Sequence, residues 1–184
     1  NTFCLANNKI AYLSPHIGDM ENVETLKAFA QTLHNYIKWF RSEPEIIVYD
    51  LHPDYMTSRY ALTMSQEKKI AVQHHFAHIA SCLAENLIED KVIGLAFDGT
   101  GYGLDGKIWG CEFLIGGVKG LNRVGHLRYL PLPGGETSIR QPWRIGIGYL
   151  TYILGDLPDL PFIKRIPKAK IKIIKKMIDD NFNL

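Results

Sequence analysis

Three apolar runs, at residues 45–49, 69–72 and 92–97, each stop at polar or glycine-bearing residues, and a stretch of helical periodicity separates each from the next. Short apolar runs bounded in this way read as buried strands, and strands alternating with helices read as an α/β fold. Ligands in such sheets bind outside the carboxyl ends of the strands. The residues that follow Tyr49, Val72 and Phe97 are therefore candidates for one shared site.

The remaining elements fit around this frame. Residues 2–5 and 10–13 read as a hairpin turned by Asn7-Asn8, because Asn tolerates the positive φ of tight turns. Val23, Leu26, Ala30, Leu33, Ile37 and Phe40 recur at three- and four-residue steps behind Asn22, a good N-cap. Helices are expected over 55–66, over the stretch carrying Ile79, Leu83 and Leu87, and over 142–153 with Pro142 in its first turn. Strands are expected over 107–115 and 124–130, the first preceded by the Asp105-Gly106 turn. The predicted order is β-β-α-β-α-β-α-β-β-β-α, an α/β fold with a mixed sheet and flanking helices.

Gln73-His74-His75-Phe76-Ala77-His78 opens the helix after the 69–72 strand. His74 and His78, four residues apart, share one helix face and can reach a single ion. Asp98 stands at the exit of the 92–97 strand. Two imidazoles and a carboxylate suit iron or zinc rather than calcium. His75 occupies the place where a zinc-protease motif needs Glu, so peptide hydrolysis is disfavoured, and its side chain is expected to point elsewhere. Gly99, Thr100, Gly101 and Gly103 form a loop that either simply turns the chain or brings backbone N–H groups to phosphate. Asp50-Leu51-His52-Pro53-Asp54 reads as a strand-to-helix turn with Asp54 as N-cap. Gly134, Gly135 and Glu136, followed by Arg140, Trp143 and Arg144, make either an anion clamp or an ordinary surface loop.

Composition narrows the partners. Cys4, Cys82 and Cys111 form no C-x-x-C pair, so neither a zinc ribbon nor a disulfide framework is indicated, and a reducing, cytoplasmic setting is expected. No apolar stretch is long enough for a membrane span. Seven of the 21 basic residues fall between Lys164 and Lys176. There Ile171, Ile174 and Ile178 share one helical face while Lys168, Lys172, Lys175 and Lys176 share another, which describes the solvated side of a packed helix rather than a nucleic-acid surface.

These motifs, in this order, resemble the HypF carbamoyltransferases that help mature nickel–iron hydrogenases. The matching stretches begin with Asn1-Thr2-Phe3-Cys4-Leu5 and Ser14-Pro15-His16-Ile17-Gly18-Asp19. They continue through Asp50-Leu51-His52-Pro53-Asp54, Gln73-His74-His75 and Asp98-Gly99-Thr100-Gly101-Tyr102-Gly103, and end with Pro133-Gly134-Gly135-Glu136 and Arg140-Gln141-Pro142-Trp143-Arg144. The resemblance spans residues 1–152. It implies an actin-like (ASKHA) lobe of the kind shared with the TsaD tRNA-modifying proteins, with 1–156 as the first lobe and 157–184 as a basic helical segment leading toward the next. It implies a divalent metal, iron or zinc, on His74, His78 and Asp98, which are then the catalytic residues. Gly99, Thr100, Gly101, Gly103, Gly134, Gly135 and Glu136 are expected to hold ATP or carbamoyl-adenylate, with Mg as a further ion. The implied reaction makes carbamoyl-adenylate from carbamoyl phosphate and ATP and passes the carbamoyl group to the C-terminal cysteine of the partner HypE.

The acylphosphatase-like domain, paired C-x-x-C zinc motifs, adenylate-forming domain and second actin-like lobe of full family members are not recognisable here. One lobe of a larger protein, excised or encoded separately and inactive alone, is the expectation. A TsaD-type tRNA threonylcarbamoyl transferase and a noncatalytic docking module are the alternatives.

Overall fold

The computed structural model describes residues 1–7 and 10–182. It comprises two compact units, Asn1–Val124 and Gly125–Leu184.

The first unit opens with β1 (Cys4–Asn7) and β2 (Ile10–Leu13), paired antiparallel with Cys4 opposite Leu13. Asn8 of the expected turn lies outside the described residues. α1 (Val23–Trp39) starts where the sequence predicts, with the Asn22 side chain accepting the Thr25 N–H at 2.8 Å. Its inner face is centred on Phe29, which is buried and meets Phe3 and Tyr60 edge-on at 5.5 and 6.0 Å. Val23 and Phe40, expected on that face, are exposed.

β3 (Ile46–Asp50) and β4 (Lys68–Val72) run parallel, with Asp50 opposite Val72, and α2 (Met56–Thr63) makes the crossover between them. Asp54 is not the N-cap of α2: Tyr55 holds that position without a side-chain cap, and Asp54 pairs with Arg59 instead. α3 (His74–Glu85) follows β4 directly, with the Gln73 side chain accepting the Phe76 N–H at 3.0 Å.

β5 (Val92–Tyr102) and β6 (Ile108–Gly117) form the longest ladder, and β7 (Gly120–His126) extends it in the order β5-β6-β7. The glycine-bearing run after Phe97 was expected to be a loop. It is the second half of β5, held extended by its antiparallel partner with a register shift between Phe97 and Gly101. Parallel and antiparallel pairing both occur, as expected of an α/β fold. Among the described residues they are divided over three sheets rather than gathered in one mixed sheet.

α3 packs on β5 because β5 is bare where the helix crosses it. A Cβ on Gly94 would stand 2.8 Å from Ile79, and one on Gly101 would stand 2.6 Å from the His75 ring and 2.9 Å from the His74 Cβ. The glycines thus set the height of the histidine-bearing turn above the strand.

In the second unit, α4 (Glu136–Arg140), α5 (Pro142–Leu154), α6 (Pro161–Lys164) and α7 (Lys168–Asp179) follow one another. Ile147 and Ile174 are fully buried. Ile171 and Ile178 lie on the inner side of α7 while Lys168, Lys172 and Lys176 are exposed. Among the described residues no helix is long and apolar enough to cross a membrane.

Candidate metal centre

The end of β3, the start of α3 just after β4 and the middle of β5, beside its register shift, bring Asp50, His74 and Asp98 to one place. β4 passes into α3 through Gln73, so His74 is the first helical residue and His78 lies one turn on. The ring centroids of His74 and His78 are 4.7 Å apart and their Nε2 atoms 3.1 Å apart. Asp98 Oδ2 lies 2.9 Å from His74 Nε2 and 3.5 Å from His78 Nε2. The other oxygen, Oδ1, accepts the Gly99 N–H at 2.6 Å, which aims Oδ2 at the imidazoles.

These three residues fit a divalent cation. Their ligand atoms all lie within 4.8 Å of one another. With metal–ligand distances of about 2.1 Å, neighbouring ligands in a tetrahedral or octahedral shell stand roughly 3.0–3.4 Å apart, close to the separations found here. Asp98 Oδ2 is buried yet receives no directed hydrogen bond. A buried carboxylate oxygen without a donor is costly unless a cation faces it. Two imidazole nitrogens and one carboxylate oxygen suit iron or zinc. His74, His78 and Asp98 have side-chain exposures of 27%, 57% and 33%, so positions beside the three ligands stay open to solvent. His74 also lines a cavity of about 480 Å³ together with Asn1, Asp54 and Tyr55.

The electrostatics are asymmetric. His74 Nδ1 is 2.7 Å from Asp50 Oδ2, and this bond raises the His74 pKa against the opposing effect of burial, with the charges of Asp50 and Asp98 adding to it. Burial alone would raise the Asp50 pKa. The hydrogen bonds from His74 and from the His52 N–H outweigh it and hold the carboxyl below its ordinary value. Tyr55, whose ring stacks on His52 at 4.2 Å, has its phenol pKa raised by burial and by the charges of Asp50 and Asp98.

His75 points into the protein. It is fully buried, its Nδ1 is 3.0 Å from Gln73 Nε2, and burial lowers its pKa. Gln73 Nε2 also donates to the Tyr102 carbonyl at 3.2 Å, tying the start of α3 to the end of β5.

The glycines divide into two groups. Gly101 and Gly103 are bare because α3 and the Trp109 indole crowd them. Nothing lies within 4 Å of where a Gly99 side chain would begin, so Gly99 borders open space beside Asp98. Thr100, between them, is half-buried. Gly134, Gly135 and Glu136 belong to the second unit. There Gly134 takes φ +98° under the Arg144 guanidinium, Arg144 Nε donates to the Pro133 carbonyl at 2.8 Å, and exposed Glu136 pairs with Arg140 at 3.0 Å.

Sequence reasoning missed Asp50 and Gln73. Asp50 read as part of a turn, and only its register opposite Val72 reveals that it reaches His74. Gln is an uncommon N-cap, and nothing in the local sequence marks its side chain as a tie to Tyr102.

Comparison with known proteins points to one family along the length of the chain. Residues 1–85 match the family described as the HypF Kae1-like domain, and residues 94–184 match the second subdomain of the carbamoyltransferase Kae1-like domain. Carbamoyltransferase HypF2 of Cupriavidus necator is 40% identical over 153 residues, covering 82% of this chain and 19% of its own length. The probable carbamoyltransferase HypF of Methanocaldococcus jannaschii is 32% identical over 190 residues, covering all of this chain and 25% of its own. A full-length HypF in its phosphate- and nucleotide-bound form superimposes on the whole chain with a TM-score of 0.83 at 40% identity, over 24% of that structure. HypF of T. kodakarensis does so with a TM-score of 0.79 at 34% identity, over 26% of that structure. The chain therefore spans about a fifth to a quarter of the length of these relatives.

Proposed function

We propose that this chain, which belongs to the HypF carbamoyltransferase family, supplies the metal-bearing part of a carbamoyl-transfer site that acts in hydrogenase maturation. The observation that carries the proposal is the meeting of His74, His78 and Asp98, each from a different sequence neighbourhood or helical turn, around one point where Asp98 Oδ2 faces both imidazoles without a directed hydrogen bond.

In this reading His74, His78 and Asp98 hold iron or zinc, which when bound supplies Lewis acidity toward the carbamoyl group and neutralises phosphate charge. Asp98 is pinned through Oδ1 by Gly99, so the ligand geometry is set before substrate arrives. The open space at Gly99 leaves room for the phosphoryl end of carbamoyl-adenylate. Gly101 and Gly103 act chiefly by letting α3 and Trp109 approach β5. Gly134, Gly135 and Glu136 are kept as nucleotide contacts of the longer protein.

The substrates are carbamoyl phosphate and ATP, joined as carbamoyl-adenylate, with Mg accompanying the nucleotide. The acceptor is the C-terminal cysteine of HypE. Its thiolate attacks the carbamoyl carbon, a C–S bond forms, and the C–O bond to phosphate breaks with AMP carrying away the electron pair. A carbamoyl carbonyl is a weak electrophile because its nitrogen donates into it, so charge stabilisation around the leaving phosphate is the main demand on the site. Other HypF domains supply the adenylation step.

The test is a full-length protein carrying His74→Ala with His78→Ala. Stoichiometric metal and carbamoyl transfer to HypE are both expected to be lost while the fold persists. Full metal content with full transfer would refute the reading.

A further inference from the structure

We infer that Asp50 is a positioning residue of the cation site: it fixes the His74 proton on Nδ1 and so leaves the Nε2 lone pair aimed at the point shared with His78 and Asp98. The inference rests on the metal reading above.

A neutral imidazole carries one N–H and has two tautomers, of which only the one with bare Nε2 can use that atom as a ligand here. An ionised carboxylate only accepts hydrogen bonds, so the 2.7 Å contact of Asp50 Oδ2 with Nδ1 favours the ligating tautomer, and it prevails over Asp98 Oδ2, which lies farther off at 2.9 Å from Nε2 and makes no directed hydrogen bond there. Asp50 is itself immobilised. Its Oδ1 accepts the His52 N–H at 2.8 Å, and its carbonyl accepts the Ser58 hydroxyl at 2.8 Å from a side chain that is almost wholly buried. The parallel register places Asp50 opposite Val72, two residues before His74. Ladder, turn and hydroxyl together hold the carboxylate against the ring. His78 differs: its contacts within the protein are made through Nε2, its Nδ1 has no hydrogen bond among the described residues, and its side chain is more than half exposed. One imidazole is preset and the other adjusts.

Asp50→Asn and Asp50→Ala separate this role from simple support. The His52 N–H keeps the Asn amide oxygen at the Oδ1 position, which turns the amide NH₂ toward His74 Nδ1. A donor there drives the proton to Nε2, onto the ligating atom. Asp50→Asn, though nearly the same shape as wild type, is therefore expected to bind zinc as weakly as Asp50→Ala, with the loss of roughly 10–100-fold typical when a carboxylate behind a ligating histidine is removed. Zinc affinity is measured by chelator competition on the full chain, with circular dichroism and melting to confirm the fold. The His74 tautomer is read from ¹⁵N shifts of the metal-free chain at alkaline pH, with the proton expected on Nδ1 in wild type and on Nε2 in Asp50→Asn. An Asp50→Asn affinity within about threefold of wild type, well short of that range, overturns the inference. So does a wild-type proton on Nε2. Wild type that binds neither zinc nor iron(II) refutes the metal reading instead, and the tautomer then still decides the role of Asp50.

Discussion

Two carboxylates on one ladder have opposite surroundings. Glu112 on β6 faces Ala96 on β5, two residues from Asp98. Glu112 is almost wholly buried and fully partnered: Oε1 accepts the Gly110 N–H at 2.9 Å, and Oε2 takes the Arg123 Nε at 2.5 Å. Arg123 in turn lies over the Trp109 ring, 4.1 Å from its centroid, and the Trp109 indole donates to Asp105 at 2.8 Å. Asp98 has one oxygen satisfied by its own neighbour and the other turned toward two imidazoles without a directed bond. The first cluster is closed, each charge answered by protein. The second is left open in a way that a small cation would complete. Unsatisfied valence, rather than the number of charges, separates a binding site from a structural ion pair.

The contrast predicts a double dissociation. Glu112→Gln leaves the half-buried Arg123 without its nearest counter-charge and should cost roughly 3 kcal/mol, the low end for breaking a buried pair because Asp105 remains 3.5 Å away. Zinc affinity should hardly change. Asp98→Asn should abolish tight zinc binding while costing the metal-free protein about 1 kcal/mol or less, as expected for a partly exposed contact. Urea unfolding in chelator and zinc competition on the same samples measure both. If Asp98→Asn proves the more destabilising of the two, the cluster is structural and the comparison fails.

A smaller effect tests the glycines beneath the site. Gly101→Ala drives a methyl group against the rings of α3 and should cost about 1–3 kcal/mol, the usual range for overpacking, with weaker zinc binding as His74 is displaced. Gly99→Ala meets nothing and should stay within about 0.5 kcal/mol of wild type. Equal losses at both positions would mean that backbone freedom, not the approach of α3, requires glycine there.

This pair also marks what the sequence could reveal. His74 and His78 were legible because helix periodicity is local, and Asp98 because strand ends are where α/β sheets gather ligands. The extended form of 98–102 was not legible. Glycines there suggest a turn when read alone, and only pairing with β6 and crowding by α3 and Trp109 explain them. Asp50 failed for the same reason: its contact with His74 is made by the β3–β4 register, which no window around residue 50 contains. The α1 stripe held at Leu26, Ala30, Leu33 and Ile37, all half-buried, but its ends at Val23 and Phe40 are exposed, because periodicity finds a stripe but not which part of it the rest of the chain covers. Phe29 won that place through its contacts with Phe3 and Tyr60.

The smallest expected effect is a pH dependence that distinguishes the open cluster from the closed one. In metal-free protein the folded state lowers the Asp50 pKa, hydrogen bonds from His74 and the His52 N–H overcoming burial, and it raises the His74 pKa through Asp50. Asp50 thus contributes stability that is fully present above its unfolded value of about 3.9 and is lost as pH falls through the lowered folded value. His74 contributes stability that is fully present below its unfolded value of about 6.5 and is lost as pH rises through the raised folded value. The melting-temperature difference between wild type and Asp50→Asn in chelator should form a plateau between those unfolded values and shrink on both sides. Zinc should move the maximum to higher pH, because a ligating His74 must give up its extra proton. The Glu112→Gln difference should show no alkaline fall near neutrality, since Arg123 keeps its charge there. If the Asp50→Asn difference instead continues to grow above neutrality without zinc, His74 is not the proton-bearing partner of Asp50, and the open cluster is wired differently from the geometry described.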